Sequence, residues 1–177
     1  MRRTFRNGIA VSLLVPLVLA TITSPALAYS KTGCRWGTGS LRLDVRYVNG
    51  DFRTGINRAI SNYNTATDVS VTAVDGSGPA WSADNASYGA TGWEGNSSWT
   101  CLLGNTLNSS MHLNTYYLSA ATPKRLKVVW AHEMGHSLGL GHVPELKRVM
   151  YSSASSAFNA GVEALTSDEV SGINSLY

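Results

Sequence analysis

The segment His132–His142 reads His-Glu-Met-Gly-His-Ser-Leu-Gly-Leu-Gly-His. Residues four apart share one face of an α-helix, so His132 and His136 can offer two imidazoles to one metal ion. A helix that continued beyond them would carry His142 away from that ion. Gly139 resolves this, because glycine readily adopts positive φ and lets the chain turn back. Three neutral nitrogen ligands with an open fourth position are typical of a catalytic zinc site.

Glu133 directly follows the first of these histidines and can flank the open position. Its carboxylate would take a proton from a water molecule that zinc activates, since zinc lowers the pKa of such water to about 7. Attack on a carbonyl carbon and return of the proton to the leaving amine complete the hydrolysis of a peptide bond. Two alternatives stay open. One is a zinc-containing binding module that does not cut, and the other is an exopeptidase, although no residue stands out to hold a chain terminus.

The surrounding sequence predicts an α+β (α/β-like) fold. Alternating and helical apolar patterns indicate an order of strand, helix, three strands, helix, long loop and closing helix. Pro123 suits the first turn of the helix that carries the histidines, and Thr166 with Glu169 forms a capping box for the last helix. The predicted strands are residues 41–47, 69–74, 88–93 and 110–117, with a polar loop before the fourth.

The histidine segment resembles the long zinc signature of the metzincin metalloproteases, third histidine included. A methionine turn lies beneath the zinc in that group, and Val149-Met150-Tyr151 is similar to it. The step of eight residues from His142 to Met150 resembles the matrixin, or matrix-metalloprotease-like, branch. Residues 126–131 and 165–177 also resemble matrixin sequence on either side of these motifs.

This resemblance implies a twisted mixed sheet with two long helices, the second carrying the zinc motif, and a C-terminal helix. It implies that Glu133 is the general base and that Met150 forms an apolar floor under one catalytic zinc. The zinc ligands that it implies are His132, His136 and His142.

The resemblance also suggests where substrate binds. An edge strand of the family's sheet pairs with extended substrate, and residues 88–93 are its counterpart by element order. Residues 152–161 correspond to the wall of the pocket that receives the residue after the scissile bond. Departures from the family pattern include Val143 and Ser152 in place of a serine and a proline. We expect the family's structural zinc site to be missing, because His112 is the one histidine left for it.

The net charge of +3 comes from the N-terminus. Arg2, Arg3 and Arg6 precede an apolar run of about 12 residues and an Ala-Leu-Ala sequence, which predicts a secretory signal at residues 1–28. A membrane anchor is the alternative, but a span needs about 20 apolar residues. A partial twin-arginine pattern leaves the ordinary export route as the default. Residues 29–177 form the predicted catalytic domain, and their equal numbers of acidic and basic residues give no case for nucleic acid.

Cys34 and Cys101 are the two cysteines of the chain. In an oxidising compartment the simplest account is a disulfide between them, and the alternative is a free Cys34 that acts as a reactive thiol or metal ligand.

We expect a secreted, extracellular monomer that acts on peptide or protein without stable membrane association. Asp75 and Asp84 are predicted to lie in glycine-rich loops where calcium could bind, but no cluster of carboxylates supports such a site. The basic residues at 124, 125 and 127 are interpreted as a solvated face, with local steering of the substrate as the alternative.

Overall fold

A five-stranded mixed sheet supports the site. The computed structural model describes residues 29–177, so the predicted signal at residues 1–28 lies outside the described residues. The strands are β1 (Ser30–Lys31), β2 (Ser40–Tyr47), β3 (Ser70–Val74), β4 (Trp81–Ala86), β5 (Gly95–Leu102), β6 (Asn105–Asn114) and β7 (Leu140–Gly141). The strand order in the sheet is β3-β2-β4-β6-β5, with β5 antiparallel to β6 at one edge and the other pairings parallel. Strands β1 and β7 form a separate antiparallel pair.

Two long helices pack together and cover one face of this sheet. The helices are α1 (Gly50–Ala66), α2 (Thr115–Leu118), α3 (Pro123–Leu138), α4 (Ala154–Asn159) and α5 (Ser167–Asn174). Helices α1 and α3 approach closely at Gly55, where an added Cβ would lie 2.7 Å from the Cβ of Leu126. Buried Tyr63 of α1 donates a hydrogen bond to the carbonyl of Ala131 at 2.8 Å, which fixes the height of α3 relative to α1. The predicted fold class is confirmed.

Helix α3 starts and stops where the sequence predicts. The hydroxyl of Thr122 accepts a hydrogen bond from the backbone N–H of Arg125, and Pro123 occupies the first turn, where its missing N–H costs nothing. Gly139 ends the helix with φ 109°, in the left-handed region that favours glycine. The closing helix α5 carries its capping box, in which Glu169 Oε2 accepts from the backbone N–H of Thr166 at 2.8 Å.

The strand prediction was wrong at residues 88–93. This stretch is an irregular loop, since Gly89 and Gly92 both adopt positive φ and turn the chain. The true strand before it is β4, which lacks the β-branched residues that signal a strand, although it buries Trp81 and Ala83. The supposed polar loop contains edge strand β5 and the start of β6. The sheet's edge is therefore β5, and residues 88–93 lead into it.

A disulfide joins Cys34 to Cys101 of β5 and links the N-terminal segment to the sheet. Asp84 lies within β4 and not in a glycine-rich loop, which corrects its predicted position. Within residues 29–177, no helix is long and apolar enough to cross a membrane.

Candidate metal centre and cleft

Three histidine side chains converge on one point. The Nε2 atoms of His132 and His136 are 3.1 Å apart. Nε2 of His142 lies 3.2 Å from that of His132 and 3.0 Å from that of His136. Tetrahedral zinc with Zn–N bonds of 2.0–2.1 Å requires ligand nitrogens about 3.3 Å apart. The near-equilateral triangle of nitrogens thus fits one zinc ion within a few tenths of an ångström.

Two of the rings are oriented by backbone carbonyls. His132 Nδ1 donates to the carbonyl of Val149 at 2.7 Å, and His136 Nδ1 donates to the carbonyl of Leu140 at 2.9 Å. With Nδ1 protonated, the lone pair of each neutral ring lies on Nε2 and faces the centre of the triangle. Such outer hydrogen bonds are characteristic of histidines that bind metal.

Burial keeps all three imidazoles neutral at neutral pH. It lowers the pKa of His132 to about 3, helped by the neighbouring His136, and the pKa of His136 to about 4. Burial also lowers the pKa of the less enclosed His142. Neutral imidazole is the form that binds a metal, so the pocket is ready for a cation without having to remove protons first.

The turn after α3 brings His142 back to the helix. Gly139 reverses the chain, and β7 then pairs with β1 immediately before His142. The N-terminal segment closes over this turn, because Thr32 N–H donates to the carbonyl of Gly139 at 2.9 Å. A Cβ at position 139 would lie 2.4 Å from the carbonyl oxygen of Cys34. Both the conformation and the close approach therefore require glycine at position 139.

Met150 packs against the helix between the two helical histidines. Its side chain is buried, and a Cβ on Gly135 would lie 2.3 Å from its Sδ atom. The backbone of Met150 accepts from Val143 N–H at 2.9 Å and donates to Glu169 Oε1 at 3.2 Å, which ties the methionine to the segment after His142 and to α5. Met150 therefore forms part of the apolar support of the histidine cluster.

The carboxylate of Glu133 is buried beside the cluster and faces strand β5. Ser97 Oγ donates to Glu133 Oε2 at 2.8 Å and lies 2.9 Å from the Glu133 carbonyl oxygen. Burial raises the pKa of Glu133 to about 8, a shift that the Ser97 hydrogen bond opposes and Glu94 reinforces. A cation at the histidines would favour the ionised carboxylate. Gly95 makes room for this carboxylate, since a Cβ there would lie 2.4 Å from Oε1.

A cleft of about 760 Å³ opens over Glu133 and the three histidines. Strand β5 forms one wall, and the indole of Trp99 stacks on the ring of His136 with centroids 6.4 Å apart and an angle of 20°. The opposite wall contains Ser152, Ser153 and Ala154, within the segment that the sequence assigned to the pocket wall. Such a cleft can hold an extended chain across the histidine cluster.

Sequence patterns did not indicate several residues of this site. Gly95 and Ser97 contact Glu133 but lie in a stretch that was interpreted as a polar loop. Arg125, interpreted as part of a solvated face, lines the cleft and pairs with Glu94. None of the four belongs to a motif, so only the tertiary contacts of β5 and α3 could have revealed them.

His112 is hydrogen-bonded away from the histidine cluster. Its Nδ1 lies 2.9 Å from Asp84 Oδ2, and its Nε2 lies 3.2 Å from the hydroxyl of Ser110. Among residues 29–177, the one group of three or more potential metal ligands is His132, His136 and His142. The structure therefore adds no second group of ligands around His112 in the part of the chain that it describes.

A model of a known protein family matches most of the chain. The family model described as matrixin matches residues 52–177, a range that includes α3, all but the first two residues of α1, the whole five-stranded sheet except β2, and the histidine cluster. None of the curated proteins matches the chain. The match covers well over half of the 177 residues.

Proposed function

The chain belongs to the matrixin family, and on that premise we propose that it is a secreted zinc-dependent endopeptidase. Its matched region is a domain of the zinc metallopeptidase type, with three histidines that fit a zinc site. The observation that carries the proposal is the triangle of Nε2 atoms on the floor of a cleft, with the Glu133 carboxylate beside it. A metal-binding module without catalysis would have no need for a buried carboxylate at that position.

The proposed mechanism assigns binding of zinc to the three histidines through Nε2. Zinc held there would supply Lewis-acid chemistry, for the activation of water and the polarisation of the substrate carbonyl. Glu133 takes the proton of the attacking water and returns it to the amine that leaves when the peptide bond breaks. Ser97 holds one carboxylate oxygen of Glu133 by its hydrogen bond, so the other oxygen, next to Gly95, is the one free to move the proton.

Strand β5 provides a binding edge for the substrate. Within the described residues it pairs with β6 alone, so the backbone groups of its other edge face the cleft side without a strand partner. An extended peptide can add to such an edge by main-chain hydrogen bonds, which are independent of side-chain identity. This arrangement supports cleavage within a chain, since no terminus has to be held.

We also propose that residues 1–28 are a secretory signal and that residues 29–177 are the catalytic domain. The sequence pattern of residues 1–28 supports export. The disulfide between Cys34 and Cys101 supports an oxidising destination, since such bonds persist outside the cytosol.

Cleavage of an unstructured protein by the purified mature form tests the endopeptidase assignment. We expect internal cuts, mapped by mass spectrometry, that disappear with a chelator and return when zinc is restored. Fragments that shorten only from one end would show an exopeptidase instead. A form that binds zinc and leaves every substrate intact would show the binding module.

A further inference from the structure

A charged cluster of Glu94, Arg125 and Ser155 borders the cleft beside Glu133, and we propose that it determines substrate specificity. It receives the side chain after the scissile bond, and Arg125 selects a side chain that accepts hydrogen bonds, best of all a carboxylate. This inference rests on the proposed endopeptidase function. It concerns which peptide is cut, whereas the histidine cluster concerns whether one is cut.

The three residues come from three different elements that meet at this end of the cleft. Glu94 directly precedes β5, Arg125 lies in the first turn of α3, and Ser155 belongs to α4. Arg125 Nε donates to Ser155 Oγ at 2.7 Å, and Nη2 donates to Glu94 Oε2 at 3.4 Å. Ser155 N–H donates to Glu94 Oε1 at 2.8 Å, and its hydroxyl also contacts Oε2. The cluster therefore joins both walls of the cleft.

The direction of β5 places this cluster on the side of the leaving amine. Gly95, at the start of the strand, contacts the Glu133 carboxylate, and Trp99, four residues later, stacks on His136. Glu133 returns its proton to the leaving amine, so the part of the substrate that follows the scissile bond lies at the Glu133 end. Because Glu94 directly precedes Gly95, the cluster lies at the Glu133 end of the cleft.

Within the cluster, both carboxylate oxygens of Glu94 already accept hydrogen bonds, whereas the guanidinium of Arg125 still has free N–H donors. Both oxygens of Glu94 accept bonds, from Ser155 and from Arg125. A guanidinium carries five N–H donors, and Nη1 of Arg125 makes no hydrogen bond to any residue in the described range 29–177. Arg125 lines the cleft with its side chain 32% exposed. The cluster can therefore offer a ligand the hydrogen-bond donors on Nη1 of Arg125.

The chemistry of the substrate side chain follows from this free donor. A carboxylate can accept an N–H group of Nη1 as a charge-assisted hydrogen bond, and a carboxamide oxygen can accept a weaker one. An apolar side chain would displace water from the guanidinium and give it no partner, which is unfavourable. A lysine side chain would meet Arg125 as a like charge, and Glu94 already has its partners.

Peptides that differ only in the residue after the scissile bond test the proposal. We compare Glu, Gln, Leu and Lys at that position with the zinc-loaded enzyme, its Arg125→Gln variant and a Lys124→Gln control. The Lys124→Gln substitution removes the same charge from the same helix. The side chain of Lys124 is 65% exposed, its Nζ lies 3.6 Å from Glu163 Oε1, and it does not line the cleft. We expect kcat/KM for the Glu peptide to exceed that for the Leu peptide in the wild type. In Arg125→Gln this ratio should fall about 10- to 100-fold, and in Lys124→Gln it should stay unchanged.

Each outcome decides the proposal. Wild-type preference for Leu over Glu would overturn it, and so would an equal fall of the ratio in Arg125→Gln and in Lys124→Gln, since that would show a long-range effect of charge. The ratio between two peptides is independent of the concentration of folded enzyme, so a partly unfolded variant still gives a valid comparison. If Arg125→Gln does not fold at all, the wild-type ratio alone decides. Absence of cleavage of all four peptides would instead contradict the endopeptidase function.

Discussion

Replacing Gly95 by alanine should impair catalysis while leaving the histidine cluster intact. An added Cβ would lie 2.4 Å from Oε1 of Glu133 and 3.0 Å from its Cδ and Cγ atoms. Ordinary van der Waals contact begins at 3.4 Å, so the carboxylate must retreat by about 1 Å. A displacement of that size can lower the rate about 100-fold, because proton transfer depends on the position of the base. The ligand nitrogens are not in the path of the new methyl group.

The assay compares kcat, KM and zinc content of Gly95→Ala with those of the wild type and of Gly37→Ala. Gly37 has no positive φ, and an added Cβ there meets no atom within 4 Å, so it controls for the substitution itself. We expect a fall of about 100-fold in kcat, with KM and bound zinc near the wild-type values. Full activity in Gly95→Ala would refute the argument that the Glu133 carboxylate must occupy the position next to Gly95.

Two further predictions concern stability. The disulfide between Cys34 and Cys101 spans 67 residues, so replacing both cysteines by serine should lower the free energy of unfolding by about 4 kcal/mol. An unchanged urea midpoint would contradict this. The hydrogen bond to Asp84 raises the pKa of His112 above 6.5 although burial opposes it. Burial acts to raise the pKa of Asp84. The hydrogen bonds of Asp84 to His112 and to the hydroxyl of Tyr88 outweigh burial and lower this pKa below 3.8. The ion pair therefore stabilises the fold at a pH between these two values and fades as the pH rises through the His112 pKa or falls through that of Asp84. His112→Gln should accordingly lower Tm more at about pH 5.5 than at about pH 9, and a difference that grows towards high pH would contradict this sign.

Local patterns made part of this structure predictable. The spacing of His132 and His136 depends only on helical geometry, and Gly139 combines the helix end and the turn in one residue. The apolar face of α1 and the capping box before α5 are likewise properties of a few neighbouring residues. Each of these signals is independent of the rest of the fold, so the sequence alone was sufficient to predict the elements.

Strand β5 could not be predicted in the same way. Ser97 and Ser98 favour no strand by themselves, and their conformation comes from pairing with β6, which the sequence does not display. The role of Gly95 depends on a carboxylate 38 positions away in the chain. Arg125 lies between Lys124 and Lys127 in the chain, and contacts with the distant residues Glu94 and Ser155 hold it at the cleft. Tertiary contacts, and not local preference, determine all of these features.

The most direct test of the account is to measure zinc content and peptide cleavage of Glu133→Gln beside the wild type. Glutamine keeps the shape of the side chain and its contact with Ser97, but it cannot take a proton from water. We predict one equivalent of bound zinc in both proteins and loss of cleavage in the variant alone. Equal cleavage by both would contradict the assignment of Glu133 as the base, and equal zinc binding with no cleavage by either would contradict the peptidase.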